Sequence, residues 1–248
     1  MIILKSTEEV AKIAKASRIV AESLEALRVY IKPGMTTKEL DRFVDGQIRE
    51  RGGIPAFKGY RNYPATLCIS VNDEVVHGIP SNRVIKEGDI VGLDLGAIYE
   101  GFYGDAAVTV PVGEVTPDAM RLIEVARESL LAGIEQACEG KRLSDISHAV
   151  QSCVEKAGFS VVTDFVGHGI GRSLHEEPQI PNFGPPGRGP RLKEGMVLAI
   201  EPMVNMGKST VRVLDDRWTA VTEDGSLSAH FEHTIAVTKE GPVILTRI

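Results

Sequence analysis

The sequence has few cysteines and few aromatic residues. Its 248 residues include three cysteines and one tryptophan, and aromatic residues make up 5% of the chain. Cys68, Cys138 and Cys153 form no C-x-x-C pair. An odd and sparse set of this kind argues against a disulfide framework, so we expect reduced thiols in an intracellular protein.

Long apolar runs and an excess of basic residues are also missing. No stretch of about 18 apolar residues predicts a transmembrane helix, and the N-terminus lacks the apolar core of a signal peptide. The net charge is −6, whereas a nucleic-acid binder would usually be basic. Only Arg188 and Arg191 suggest a local basic patch. We therefore expect a soluble, cytoplasmic protein that binds neither DNA nor membranes.

The apolar periodicity predicts helices and strands in alternating blocks. Ser6-Thr7-Glu8-Glu9 has the pattern of a helix start, and the apolar residues that follow recur at helical spacing until Pro33-Gly34. Further helices are predicted from Thr36 or Thr37 to about 51, over 117–138 and over 142–157. The predicted strands are 66–71, 90–98, 102–111, 160–165, 196–202, 218–223, 229–237 and 243–246. Residues 181–191 contain too many Pro and Gly for regular structure and predict an ordered loop.

A weak internal repeat relates the two halves of the chain. A shift of 106 residues places 16–52 on 122–158 with seven identities, and it aligns Gly34 with Gly140 and Gly52 with Gly158. The repeat predicts one domain, residues 1–248, built from related halves of about 1–115 and 116–248. Helices segregated from runs of strands indicate an α+β fold, in which a site between the halves would draw side chains from both.

Two aspartates interrupt apolar strands. Asp94 lies in IVGLDLG and Asp105 in GFYGDAA. A buried carboxylate is costly unless it is paired or binds a metal. With the turn centred on Tyr99-Glu100, the two aspartates would lie directly opposite each other, about 5 Å apart, and their repulsion would require a cation. The alternative is that one aspartate is exposed at a strand end.

His168 lies between two glycines in GHGIG, and we expect those glycines to let the backbone bend and aim the imidazole. The segment is not H-E-x-x-H, so it does not predict a helical zinc site. It also lacks the G-x-G-x-x-G spacing of a dinucleotide-binding loop. Taken alone, His168 is therefore only a candidate metal ligand.

Two glutamates complete a possible metal centre. Glu201 follows the apolar run MVLAI, and Glu232 lies in HFEHTI. Each alone could be a salt-bridged acid at a strand end. Together with Asp94, Asp105 and His168, they form the ligand inventory of a site for two divalent ions. His230 would share a face with Glu232, because strand side chains alternate, and could orient a ligand.

Several ordered motifs resemble type I methionine aminopeptidases, a family of M24-like metallopeptidases with the pita-bread fold. The matching segments are FKGY, NDEVVHGIP, GDIVGLDLG, GFYGDAA, GHGIGRSLHEEPQ, IEPMVN and FEHTI. The resemblance spans nearly the whole chain. It implies a pseudo-twofold antiparallel β-sheet backed by helices, and it implies a metal-dependent exopeptidase that removes the initiator methionine from nascent polypeptides.

The resemblance also implies roles for particular residues. Asp94 would bind one ion, His168 and Glu201 the other, and Asp105 and Glu232 both. His77 and His175 would contact the substrate, with Glu201 as the proton shuttle. The methionine pocket would include Tyr60, Tyr63, Cys68, Leu174 and Trp218, and Leu174 stands where some relatives have an aromatic residue.

The resemblance leaves the metal and the partners open. The two divalent ions could be Co, Mn, Fe, Zn or Ni, because the site mixes nitrogen and oxygen ligands. Nascent chains are the expected partner, activated water is expected to attack their first peptide bond, and a small second residue is expected to be preferred. We expect a monomer. Transient ribosome association is compatible with this activity, although no residue indicates it.

The sequence leaves three alternatives. Prolidases and aminopeptidase P share the fold and metals but usually have a large N-terminal domain. In this chain the first helix is predicted to start near residue 7, which leaves no room for such a domain. Type II methionine aminopeptidases have an insertion for which this chain looks too short. A non-catalytic pita-bread binding module would be expected to lose ligands, whereas all five are present.

Overall fold

Four helices flank a large antiparallel sheet. The computed structural model describes residues 1–247. The helices are α1 (Thr7–Tyr30), α2 (Thr37–Glu50), α3 (Pro117–Glu135) and α4 (Leu143–Lys156), and a short 3₁₀ turn covers Tyr60–Asn62. None of the helices within residues 1–247 combines the length and apolar character needed to cross a bilayer.

Nine strands form the main sheet. They are β1 (Ile54–Pro55), β2 (Leu67–Val71), β4 (Ile90–Tyr99), β5 (Phe102–Pro111), β7 (Gly167–Gly169), β8 (Glu176–Ile180), β9 (Val197–Ile200), β14 (Glu232–Thr238) and β15 (Gly241–Ile244). The order is β1-β4-β5-β14-β9-β7-β8, with β2 paired to β4 and β15 to β14. The two halves of the chain meet where β5 pairs with β14.

Two small sheets complete the fold. One contains β6 (Ser160–Val161), β10 (Met203–Asn205) and β13 (Ser228–His230), and the other contains β3 (Glu74–Val76), β11 (Val211–Val213) and β12 (Ala220–Thr222). Some predicted strands are therefore shorter or divided. Predicted strand 196–202 ends early, at Ile200, and Pro202, which cannot donate to the ladder, separates it from β10. Predicted strand 229–237 is divided between β13 and β14.

Capping residues explain where the helices begin. Ser6 accepts a hydrogen bond from the Glu9 amide at 3.2 Å, and the Glu9 carboxylate accepts from the Ser6 amide at 3.0 Å. Thr36 and Glu39 form the same capping box before α2. Such caps satisfy amides that have no partner within the helix. The predicted helix starts are thus confirmed.

The two helix pairs occur at the repeat distance found in the sequence. A shift of 106 residues moves α2 onto the bounds of α4. The aligned glycines share a left-handed backbone, with φ of 92° at Gly34, 87° at Gly140, 81° at Gly52 and 82° at Gly158. Only glycine adopts this conformation at little cost.

Side-chain alternation decides which face of the sheet receives the polar residues. Leu93 and Leu95 of β4 pack into one apolar core with α1 and α2. Ile235 and Val237 of β14 pack into a second core with α3. Because strand side chains alternate, Asp94 projects from the face opposite the helices.

Candidate metal centre

Asp94 and Asp105 share a face but are not directly opposed. In the β4–β5 ladder Asp94 pairs with Ala107, and Asp105 pairs with Gly96. The prediction of direct opposition is wrong because the turn is centred on Glu100-Gly101, whose φ angles of 47° and 78° suit a type I′ hairpin. Moving the turn by one residue shifts the cross-strand partner of each residue by two positions. Both aspartates therefore stay on the same face of the hairpin, but as diagonal neighbours.

The imidazole of His168 is fixed through Nδ1, which leaves Nε2 able to bind a metal. Its Nδ1 lies 3.0 Å from the Gly169 carbonyl oxygen. A carbonyl can only accept, so Nδ1 has the proton and Nε2 presents a lone pair. That Nε2 lies 3.4 Å from Glu201 Oε1 and 3.9 Å from Asp105 Oδ2. The imidazole is therefore oriented as a ligand.

The glycines beside His168 serve close strand packing, contrary to the expected bend. A Cβ at Gly167 would lie 2.5 Å from the Ala199 carbonyl oxygen, and one at Gly169 would lie 2.3 Å from the Glu177 carbonyl oxygen. Neither glycine has a positive φ. Their missing side chains let β8 and β9 approach β7 from both sides.

Four carboxylates converge with His168: Asp105 and Glu232 are buried, and Asp94 and Glu201 are partly buried. Ligand atoms of Asp105, His168 and Glu232 lie within 4.8 Å of one another. Asp94 and Glu201 line the same cavity. Buried oxygens of Asp94, Asp105 and Glu232 have no hydrogen-bonding partner among residues 1–247, and such orphaned acceptors are costly in a protein interior. These residues therefore fit a divalent cation, which would satisfy the oxygens and offset their repulsion.

Burial dominates the electrostatics of this centre. It raises the pKa of Asp94 to about 8. Burial, and secondarily the neighbouring acids, raise the pKa values of Asp105, Glu201 and Glu232 well above their ordinary range. Burial lowers the pKa of His168 to about 3. A neutral imidazole and ionised carboxylates are the forms that bind metal, so a cation would reverse the shifts of the acids.

All twelve residues predicted for the site line one cavity of about 150 Å³. They are Tyr60, Tyr63, Cys68, His77, Asp94, Asp105, His168, Leu174, His175, Glu201, Trp218 and Glu232. The halves of the chain thus contribute to one site. Phe57 and Arg61 also line it and were not predicted. Arg61 has a left-handed backbone, with φ of 47°, which no pattern in the sequence indicates.

One end of the cavity is apolar. Tyr63, Cys68 and Leu174 are buried, and the Tyr63 and Trp218 rings meet edge to face with centroids 5.0 Å apart. The Tyr63 hydroxyl donates within the protein, to the carbonyl oxygens of Leu67 and Gly78. This end consequently offers apolar and sulfur surface, which suits an unbranched thioether side chain.

His77 lines the cavity beside Trp218 of the apolar end. Its ring contacts Phe165 at 5.4 Å and Trp218 at 6.1 Å between centroids, edge to face in both cases. Burial, and then the charge of His175, lower the pKa of His77 to about 4. The backbone φ of 63° is unusual for a non-glycine residue, a conformation often found at functional sites.

Polar contacts fix the backbone around the candidate ligands. Thr234 Oγ1 donates to the Asp105 carbonyl oxygen at 2.7 Å and accepts from its amide at 3.2 Å. Asn182, in the predicted loop 181–191, donates to the Glu201 carbonyl oxygen at 3.0 Å. His230 Nε2 lies 3.8 Å from Glu201 Oε2. His233 instead contacts Thr246, with its Nδ1 2.8 Å from Thr246 Oγ1.

A family model described as metallopeptidase family M24 matches residues 11–239 of the chain. The chain belongs to this family. Membership implies the use of divalent metal, which agrees with the orphaned carboxylate oxygens of the site.

Relatives of this M24 metallopeptidase match it along its whole length. It is 54% identical to methionine aminopeptidase 1 of Bacillus subtilis over 248 residues, which is 100% of both chains. It is 51% identical to a methionine aminopeptidase of Thermotoga maritima of known structure, with a TM-score of 0.98 and 100% of both chains covered. The predicted pita-bread fold is thereby confirmed.

A prolidase of Pyrococcus furiosus is a more distant structural neighbour. Its TM-score is 0.80, its identity is 24%, and the match covers 99% of this chain and 66% of the prolidase. At this identity the likeness shows the fold alone.

A buried ion pair anchors the segment of the M24 metallopeptidase that contains Leu174 and His175. Lys5 Nζ donates to Glu176 Oε2 at 2.6 Å, and both side chains are largely buried, with 4% and 9% exposed. Lys5→Met will leave the Glu176 charge buried without its cation. We expect the free energy of unfolding to fall by about 3–5 kcal/mol, measured by urea denaturation.

The exposed pair Lys239–Glu194 provides the control. Its side chains are 69% and 52% exposed. Lys239→Met should leave the free energy of unfolding almost unchanged, because exposed pairs contribute little. Equal effects of the two substitutions would contradict the assigned anchoring role.

Proposed function

We infer that this M24 metallopeptidase is an aminopeptidase that removes the N-terminal methionine from polypeptides. The observation that supports this best is one cavity in which an apolar, sulfur-lined end adjoins four carboxylates and His168. The first feature suits the methionine side chain, and the second suits metal-assisted hydrolysis. The full-length identity to methionine aminopeptidase 1 of Bacillus subtilis agrees with both features.

We propose that the centre holds two divalent ions. Asp94 would bind one, His168 and Glu201 the other, and Asp105 and Glu232 both. Divalent ions bound there would act as Lewis acids and lower the pKa of water toward neutrality. The donors are four carboxylates and one imidazole, which accommodate Mn, Fe, Co, Ni or Zn.

The chain's own residues would move the protons. Glu201 lies 3.4 Å from His168 and lines the cavity, so it is placed to accept the proton of the attacking water. It would then pass that proton toward the leaving amine. His175 would hydrogen-bond the scissile carbonyl oxygen as negative charge develops there. His77 would contact the scissile amide or the second residue, and crowding there would favour a small side chain.

A peptide series tests this function. After treatment with chelator, the protein is assayed with Met-Ala-Ser, Met-Leu-Ser and N-acetyl-Met-Ala-Ser, with and without added divalent metal. We expect metal-dependent release of methionine from Met-Ala-Ser and little from the other two peptides, because the proposed exopeptidase activity would require a free N-terminal amine and a small second residue. Cleavage of an X-Pro peptide without methionine release would contradict the proposal and favour a prolidase.

The wider context is also proposed from the sequence. We propose that the chain is a single catalytic domain with two related halves, about 1–115 and 116–248. Its substrates would be nascent polypeptides. A cytoplasmic location, a monomeric state and transient contact with ribosomes remain predictions.

A further inference from the structure

His175 is held in place through its own backbone segment. The Glu176 carboxylate accepts a hydrogen bond from the Ser173 amide at 3.1 Å and from Lys5 Nζ at 2.6 Å. Tyr103 donates its amide to the Gly171 carbonyl oxygen at 2.8 Å. The turn that presents His175 is therefore bound to the N-terminal segment and to β5.

The Tyr60 side chain contacts the imidazole ring of His175. Its hydroxyl lies 2.7 Å from His175 Nδ1. Tyr60 belongs to a turn closed by a hydrogen bond from the Gly59 amide to the Tyr63 carbonyl oxygen at 2.8 Å. The Tyr63 hydroxyl donates to the Gly78 carbonyl oxygen at 2.8 Å. Because this turn is tied down, the position of the Tyr60 hydroxyl is preset.

Elementary acid–base chemistry gives this hydrogen bond a direction. A phenol is a proton donor with a pKa near 10, whereas its oxygen is a very weak base. An unprotonated imidazole nitrogen is a much better acceptor. Within residues 1–247 the Tyr60 hydroxyl and His175 Nε2 have no other hydrogen-bonding partner. The favoured arrangement is therefore O–H of Tyr60 donating to Nδ1 of His175.

We propose that Tyr60 is a positioning residue that fixes the tautomer of His175, so that the ring proton is on Nε2 and faces the cavity. This inference rests on the proposed function, in which His175 donates to the scissile carbonyl oxygen. A lone pair on Nε2 would instead repel that oxygen. Tyr60 thus prepares the donor before substrate binds, which is the preorganisation that electrostatic catalysis requires.

The adjacent histidine is fixed in the opposite tautomer. The rings of His168 and His175 have centroids 4.3 Å apart. The Gly169 carbonyl oxygen can only accept, so it places the proton of His168 on Nδ1. The Tyr60 hydroxyl can donate, so it places the proton of His175 on Nε2. Two neighbouring imidazoles thereby present a lone pair to the metal centre and a proton to the substrate.

Nitrogen NMR of the six histidines tests the tautomer directly. The ¹⁵N-labelled protein is loaded with Zn²⁺, which is not redox-active and has a filled d shell. His175 is assigned by the signal lost in His175→Asn, or in His175→Gln if the first variant does not fold. We expect an unprotonated Nδ1 and a protonated Nε2 in the wild type, and a mixture of tautomers in Tyr60→Phe. A protonated Nδ1 in the wild type would overturn the proposal.

Steady-state kinetics distinguish a loss of His175 positioning from a change in the shape of the methionine pocket. Tyr60→Phe retains the ring, so we expect KM for Met-Ala-Ser to change by less than about twofold. We expect kcat to fall about tenfold. Complete loss of a hydrogen-bond donor to the oxyanion lowers kcat by roughly 10²–10³-fold, and Tyr60→Phe removes only the bond that orients this donor. Tyr99→Phe is the control, because Tyr99 does not line the cavity. Equal kcat values in the two variants would overturn the proposal. Absence of methionine release by the wild type would refute the proposed function, while the nitrogen spectrum would still decide the tautomer.

Discussion

Glu201→Gln will lower kcat for Met-Ala-Ser by roughly 10³-fold or more, the upper part of the range for general acid–base catalysis. The amide retains nearly the same shape but cannot accept the proton of the attacking water. It is also a weaker metal ligand than a carboxylate. Because Glu201 lies 3.4 Å from His168, the change acts at the centre of the site. Methionine release is measured at saturating peptide.

Two further measurements make this result specific. The metal content of Glu201→Gln, determined by mass spectrometry, separates loss of metal from loss of proton transfer in the loaded enzyme. Glu223→Gln alters an exposed acid and should leave kcat unchanged. If fully metal-loaded Glu201→Gln retained more than about a tenth of wild-type kcat, Glu201 could not be the proton shuttle.

Removal of metal will expose a contribution of Asp94 to the stability of the protein that falls as the pH rises from 5 to 8. Burial raises the pKa of Asp94 to about 8, and in the unfolded chain an aspartate titrates near pH 4. Between these values the folded, metal-free protein binds a proton that the unfolded chain has released. The stability that is present below pH 4 is therefore lost progressively as the pH approaches 8.

The expected size of this effect is large. A shift of about four pKa units corresponds to on the order of 5 kcal/mol for one carboxylate. For a chain of this length that contribution corresponds to a difference in Tm of roughly 10–20 °C. Added divalent metal should restore Tm most strongly at pH 8, because the ion binds the ionised carboxylates and stabilises the folded state.

Calorimetry with chelator, and then with added metal, checks this expectation. Asp94→Asn removes the group whose pKa is most directly raised by burial, so its metal-free Tm, compared with that of the wild type, should rise as the pH increases from 5 to 8. Glu223→Gln should follow the wild type. If the metal-free Tm of Asp94→Asn changed with pH between 5 and 8 just as that of the wild type does, the electrostatics assigned to Asp94 would be contradicted.

Much of the candidate site could be predicted because its residues violate the local pattern of the sequence. Asp94, Asp105 and Glu232 are acids within otherwise apolar strands, and burial of such groups requires compensation. Helix starts could be predicted for a similar reason, since the capping residues Ser6 and Thr36 act on amides only three residues away. Both kinds of signal are short in range and depend on residue type.

The register of the β4–β5 hairpin was harder to predict than the identity of the candidate metal ligands. The alternation of β4 and β5 placed both aspartates on one face, but their exact pairing depended on which two residues form the turn. Glu100-Gly101 and Tyr99-Glu100 are neighbouring choices, and one step changes the pairing of every residue in the hairpin. The glycines beside His168 were misinterpreted for a related reason, because the carbonyl groups they approach belong to distant strands.

The sequence by itself determined the helices, the alternation of the strands and the set of residues able to bind metal, since these depend on local spacing and side-chain chemistry. The tertiary structure alone decided that Tyr60 lies against His175, that Lys5 anchors Glu176, and that Arg61 reaches the cavity. These contacts join segments up to 171 residues apart. They depend on how β4, β5 and β14 assemble in space, which no local pattern specifies.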